Sequence, residues 1–332
     1  VKFYTNKLYN SMPSILFKKT RLPVPQQNTN NNIDNGNDAE ILAASLLLKS
    51  IGAEISWSSR NEDSRKIDLI CSYDHPWVKK ERLIFFIQVK SGRKFGRIKE
   101  NGFTLLASAK KAAQRTSHSI CIIWIERDTN KSFWAYIHPF STKTSQKYSN
   151  YHLITPAMRF DIARCQAKSI NGISEGKGII LKKLKGDLNT KRKYALSNYK
   201  RLKSIEIFNP NLGKIEFTRI GWRHMFRKQR NSEHKEKSFT TIPYLDKILL
   251  QKPTTIYITE HLQENLNEFE YRICEYVLTY EKVKIELAGS IETINVNIRL
   301  LEEIRWPMNW LNNPMLTQMV ERRVVLLNAY YK

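Results

Sequence analysis

Cysteine is scarce in this chain: four in 332 residues, at positions 71, 121, 165 and 274, with no Cys-x-x-Cys pair among them. That spacing argues against a disulfide-stapled fold and the usual thiolate zinc sites. Cys71 and Cys121 stand inside strand-like runs, where a buried thiol acts as a small apolar residue. Long hydrophobic runs are missing too. Stretches such as Leu83–Ile87 fall far short of the ~20 apolar residues that span a bilayer. No apolar stretch follows the first lysines as in a signal peptide, so the expected setting is cytoplasmic, with no membrane partner. Acidic residues are the third shortage: 31 Asp and Glu face 55 Lys and Arg, leaving a net charge of +24. A surplus of that size attracts polyanions, and nucleic acid is the first candidate.

What remains is the mixture of a folded chain, 41% hydrophobic and 26% charged. Its length suits two domains of about 100–150 residues each. Residues 1–36 are basic and polar, end in an Asn-rich run, and read as a mobile arm. Residues 37–160 mix helical and strand periodicities. Residues 161–203 read as a basic linker, with ten Lys and Arg against three acids over 161–200 and one short strand at Gly178–Leu184. Residues 204–332 form a second patterned region.

The order within the first region can be read from periodicity. Asp38 is placed to cap a helix over Ala39–Ser50, in which Ile41, Leu42, Ala44, Ser45 and Leu48 recur at helical spacing, and Gly52 ends it. Runs rich in Ile, Leu and Phe at Glu54–Ser58, Lys66–Ser72 and Arg82–Lys90 read as strands. A helix over Leu105–Arg115 and strands at Ser119–Glu126 and Ser132–His138 follow. The expectation is an α/β fold in the order α-β-β-β-α-β, plus one strand.

Three places in that order carry chemistry: Glu40 at the helix start, Asp68 in the second strand, and Gln88-Val89-Lys90 closing the third. Strand side chains alternate, so Gln88 and Lys90 share one face. Gln and Lys beside Phe85, Phe86 and Ile87 are poor strand formers, and a polar face there asks for a reason. A hard cation such as Mg²⁺ takes oxygen ligands from carboxylates and amide carbonyls, and a lysine beside it can balance charge on a phosphate. A structural salt bridge between Asp68 and Lys90 is the plainer alternative. The cations Arg93, Lys94, Arg97 and Lys99 follow at once, with Lys110 and Lys111 on the next helix, as a phosphate backbone would require or as a solvated face would show. His75 and His118 read as ordinary surface or strand-edge histidines.

Asp68 and, twenty residues on, Gln88-Val89-Lys90-Ser91-Gly92 resemble the core of the PD-(D/E)xK nuclease superfamily. More narrowly, they resemble a bacterial, restriction-endonuclease-like branch with a Gln-x-Lys third-strand motif. The resemblance covers about Asn37 to Phe140, and the α-β-β-β-α-β order matches. It implies a Mg²⁺- or Mn²⁺-dependent DNA endonuclease with Glu40, Asp68 and Gln88 at the metal and Lys90 as catalytic lysine, suited to defence against phage or plasmid DNA. Gln88 departs from the pattern, since an amide brings no charge to the ion.

The second region reads as α+β. A strand at Ile215–Ile220 leads into Gly221–Arg230, which as a helix places Arg223, Arg227 and Arg230 on one side with His224 beside them. A helix at Tyr244–Leu250 precedes strands at Thr255–Thr259, Tyr271–Tyr280, Val283–Ala288, Thr293–Leu300 and Arg323–Ala329. Arginines with a histidine are a usable set for RNA cleavage, which makes Arg223, His224 and Arg230 candidates. The region also loosely resembles the barnase–colicin–RelE-like ribonuclease fold, in its Trp222-Arg223-His224 segment and in Arg299 late in the sheet, which implies RNA cleavage. Trp306, Pro307, Trp310 and Pro314 read as a core plug or as a stacking platform for bases. Besides the metal-dependent DNA nuclease, two readings stay open: a non-catalytic nucleic-acid binder with a decayed site, and a ribonuclease toxin acting through this second half. DNA is the expected partner, RNA an alternative one, and a homodimer is natural if both strands are cut.

Overall fold

The structure is a computed structural model. It describes residues 29–58, 67–113, 117–129, 131–138, 146–169, 178–287, 290–312 and 319–332. The backbone groups into two units that divide between Asp38 and Ala39, and among the described residues every strand belongs to the second. The first helix, α1, spans Thr29–Ile51. Asp38 is therefore interior to the helix and not its cap, and residues 29–36 of the expected arm are helical. The Asn-rich stretch that opens α1 has no apolar period to betray it. Its buried face is Ala39, Ala43, Leu47 and Ile51, whereas Ile41 and Leu48, expected on that face, are exposed. Gly52 ends the helix at φ +68°, its N–H bonded to the Leu48 carbonyl at 3.1 Å.

Strands β1 (Glu54–Trp57), β2 (Leu69–Asp74) and β3 (Arg82–Ser91) run antiparallel as neighbours. A hairpin of β4 (Gly96–Lys99) and β5 (Gly102–Leu105), then α2 (Ala107–Ala113), carries the chain across to β6 (Ile120–Ile125), which lies parallel to β3. Strand β7 (Ser132–Ile137) closes the sheet in the order β1-β2-β3-β6-β7. Alternation sorts β3 into two faces. Phe85, Ile87 and Val89 enter the core shared with α1, and Phe86 packs in the core on the opposite side. That second face is roofed by β4, β5 and β8 (Gln146–Ser149), where Phe103 packs against Trp124 at 5.5 Å, Phe133 at 4.6 Å and Tyr148 at 4.9 Å. Covered on both faces, β6 is buried along its whole length, as its unbroken apolar run requires. Cys71 and Cys121 are buried as expected, and burial pushes the Cys71 thiol up to about 12.

Between residues 158 and 203, where a basic connector was expected, stand two helices, α3 (Met158–Ser169) and α4 (Leu188–Lys203), flanking the anticipated short strand, β9 (Ile180–Lys182). A hairpin of β10 (Ile207–Asn209) and β11 (Gly213–Ile215) and then α5 (Arg219–Met225) replace the strand expected at Ile215–Ile220. The next helix stops at Met225 instead of running to Arg230. Asn231 then caps α6 (Ser232–Thr241), accepting from the His234 N–H at 2.8 Å, and α7 (Leu245–Leu249) matches its expected span. Strands β12 (Thr255–Leu266), β13 (Phe269–Leu287), β14 (Ser290–Pro307) and β15 (Glu321–Tyr331) form an antiparallel meander, with β9 paired to β13. The two strands expected between Tyr271 and Ala288 are one, with a register shift between Tyr280 and Val283. Trp306 and Trp310 are buried, and Trp306 donates to Glu270 at 2.9 Å, so the plug reading holds for both; Pro314 lies outside the described residues.

The class is mixed α/β. One continuous apolar core runs from Ala39 through Leu69, Ile87, Ile162, Leu202 and Leu278 to Ala329. Beside it, α3 sends Asp161 and Arg164 into a buried polar cluster with Tyr151, Arg272, Tyr276 and Glu302. Among the described residues, no helix is long and apolar enough to cross a membrane.

Candidate functional site

The site forms where β3 outruns β2. Strand β2 begins at Leu69, opposite Ile87, so Asp68 lies just ahead of it and not within it. Continuing the register by one residue sets Asp68 opposite Gln88. Its N–H still donates to the Ile87 carbonyl at 2.8 Å, while its Oδ2 accepts the Val89 N–H at 2.5 Å. The carboxylate thus stands in for a strand carbonyl at the point where the ladder ends. Lys90 brings Nζ to 3.9 Å from the same oxygen and donates to the Val89 carbonyl at 2.9 Å. Asp68 and Gln88 are buried, at 8% and 1% exposure, and the Lys90 side chain keeps 19%. Glu40 is half-buried one residue after Ala39, on the α1 turn that packs against the core.

A carboxylate and an amide side by side are hard oxygen donors, and a cation flanks them. That donor chemistry fits a small divalent ion that keeps several of its waters. Among the described residues, no three His, Cys, Asp or Glu side chains cluster as a metal site.

Beyond Lys90 the chain turns at Gly92 (φ +79°) into the basic loop. Arg93, Lys94, Arg97 and Lys99 are all exposed. Lys90 and Lys94 bring Nζ to 5.7 Å and 5.8 Å from the Phe95 ring, and Arg93 pairs with Asp128 at 2.8 Å. Arg127, which the sequence did not single out, donates to the Ser91 hydroxyl at 2.9 Å. It lies 36 positions away, so no local spacing could have pointed to it. A cavity of about 590 Å³ opens beside this loop, with Arg93, Arg97, Trp124, Glu126 and Asp128 in its wall. Lys110 does not belong to this basic surface: it is 1% exposed, turned inward with Ala109 of α2. The Lys111 side chain lies outside the described residues. His75 accepts from the Trp77 and Val78 N–H groups, and His118 lies against Phe86, as ordinary structural histidines do.

In the second half, the charges of Arg227, Arg230 and Arg299 all act on His224, and Arg223 is exposed on α5. The His224 Nδ1 faces the Leu327 carbonyl at 3.2 Å, and since a carbonyl only accepts, Nδ1 carries the proton. Burial, with the charges of Arg227, Arg230 and Arg299, holds this imidazole below its ordinary value against that bond's upward pull. Arg230 donates to His234 Nε2 at 2.5 Å, Asn328 lies 3.3 Å from the same nitrogen, and Tyr330 packs on the ring. His234, another residue the sequence did not single out, is held down by burial and by Arg230 and Lys237. Arg299 donates to Glu275 at 2.5 Å. No protein-family model, no curated protein and no solved structure matches the chain.

Proposed function

We propose that the chain is a divalent-metal-dependent nuclease that hydrolyses DNA phosphodiester bonds at Asp68, Gln88 and Lys90, on a restriction-endonuclease-like core. The observation that carries this reading is the 3.9 Å approach of Lys90 Nζ to Asp68 Oδ2, beside the buried Gln88 amide and next to an exposed basic loop. The order α1-β1-β2-β3-α2-β6, interrupted by the β4–β5 hairpin ahead of α2 and with β3 and β6 parallel, supports the PD-(D/E)xK resemblance. Asp68 and Gln88, with Glu40, would hold the ion. When bound, it would supply charge neutralisation at the scissile phosphate and a more acidic water. Lys90 would balance negative charge that develops on the phosphate oxygens. Arg93, Lys94, Arg97 and Lys99 would hold the backbone without reading its sequence. Such an activity suits the clearance of phage or plasmid DNA.

The test is cleavage of plasmid and single-stranded DNA with Mg²⁺ or Mn²⁺. The intact chain is expected to cut and to stop in EDTA, with Asp68→Asn and Lys90→Ala each slower by roughly 100-fold or more. Variants that cut as fast as the intact chain would overturn the assignment. So would an intact chain that binds DNA in a salt-sensitive way and never cuts it.

A further inference from the structure

Arg230 reaches His234, His234 lies 3.3 Å from Asn328, and Asn328 stands opposite Arg299, so that the charges of Arg227 and Arg299 both act on Arg230. Arg227 and Arg230 sit in a turn after α5, closed by the Arg230 N–H on the Arg227 carbonyl at 3.1 Å. Arg299 enters from β14, directly opposite Asn328 of β15. Among the described contacts, the carboxylate that meets this group is Glu275, on Arg299. Arg230 is given an imidazole instead. Because Arg is a donor only, His234 Nε2 must be the unprotonated nitrogen, so that ring brings no charge to the bond. The Nδ1–H of His224 is spent on the Leu327 carbonyl. Guanidinium groups gathered beside these rings repel one another, and the arrangement is stabilised when an anion joins them. The shift of Arg230 agrees: burial and the charges of Arg227 and Arg299 hold it below its usual value.

We propose that Arg227, Arg230 and Arg299 form a phosphate-binding site, edged by His224 and His234, that takes the backbone of a nucleic-acid strand. The planar donors of arginine suit phosphate oxygens, and the chain's net charge of +24 favours a polyanion over a free phosphate. The site uses none of the residues assigned to DNA hydrolysis. It stands or falls independently of that reading.

The experiment uses the full chain carrying Asp68→Asn, in EDTA, so that cleavage at the first site plays no part. The probe is a short fluorescent single-stranded DNA oligonucleotide, read by anisotropy across a salt series. Replacing Arg227 and Arg230 by Gln is expected to weaken binding about tenfold and to flatten the salt dependence. A charge-matched control, Lys183→Gln with Lys185→Gln at exposed positions, should change affinity by less than about twofold if net charge alone matters little. Arg227→Glu alone, at an exposed residue, lowers affinity without touching the core. Excess inorganic phosphate competes only weakly with the oligonucleotide. Equal losses in the arginine and lysine pairs would show that only net charge is at work and overturn the site. An oligonucleotide displaced by phosphate at concentrations comparable to its own would overturn the choice of a nucleic-acid strand.

Discussion

Arg164 and Glu302 lie 138 positions apart in the chain and 2.8 Å apart in the fold, both all but sealed from water. Arg164 also donates to the Tyr151 and Tyr276 hydroxyls at 2.8 Å and 2.7 Å, and Arg322 reaches Glu302 at 2.7 Å. A buried charge pair adds little net stability over apolar packing, but a broken one leaves an uncompensated charge in a dry interior. The cluster specifies how α3 meets the long meander more than it strengthens it.

Removing one partner exposes that asymmetry. Glu302→Ala leaves Arg164, Arg272 and Arg322 without their shared carboxylate and is expected to cost about 3–5 kcal/mol in denaturant unfolding. A loss of under about 1 kcal/mol would show that water reaches these arginines.

The same carboxylate sets an acid limit. Burial works to raise it, and Arg164, Arg322 and Arg272 with the Tyr276 hydroxyl override burial and bring it down to about 2, from an ordinary value of 4.5. A folded-state value below the unfolded one contributes stability that is complete above 4.5 and is lost as the pH falls towards 2. Unfolding midpoints of the intact chain should therefore drop steeply across that window. Those of Glu302→Gln should drop less.

Gly96 lies in β4 where an added Cβ would come within 2.4 Å of the Trp124 ring. Gly96→Ala must push the β4–β5 hairpin off the sheet and is expected to destabilise the fold by about 1–3 kcal/mol. Thermal melts measure it. The aromatic stack of Phe103 on Trp124 should loosen with it, visible in near-ultraviolet circular dichroism.

On the proposed nuclease reading, Gln88 would set how tightly the cation is held. Gln88→Glu adds a charge to the donor pair and should lower the Mg²⁺ concentration for half-maximal cleavage by about tenfold. Gln88→Ala should raise it. Identical metal curves for the three proteins would place the ion elsewhere.

Strand β3 was legible from its Ile-Phe-Phe-Ile run. Gln88 and Lys90 stood out as candidates because that apolar run ends abruptly in Gln-Val-Lys. Helix α3 was not. Its Asp161 and Arg164 look solvated when read locally, and their partners, Arg272 and Glu302, are more than a hundred positions downstream. Lys110 misled in the opposite sense: a lysine in a basic stretch suggests a surface, and the helix turns it inward. In the second half, reading one helix through Arg230 missed the turn that swings Arg227 and Arg230 towards Arg299. The signal for it was Asn231, a capping residue that marks a new helix start.

One apolar core passes without a break from Leu69 to Ala329, through the body that carries both proposed sites. On those two proposals, a strand long enough to touch Asp68 and Arg230 at once would be held like tape on a ruler. Its cut would fall at a constant number of nucleotides from the segment gripped by the arginines. Product lengths from an end-anchored strand would then cluster at one value, and fragments too short to reach both points would be trimmed without such periodicity.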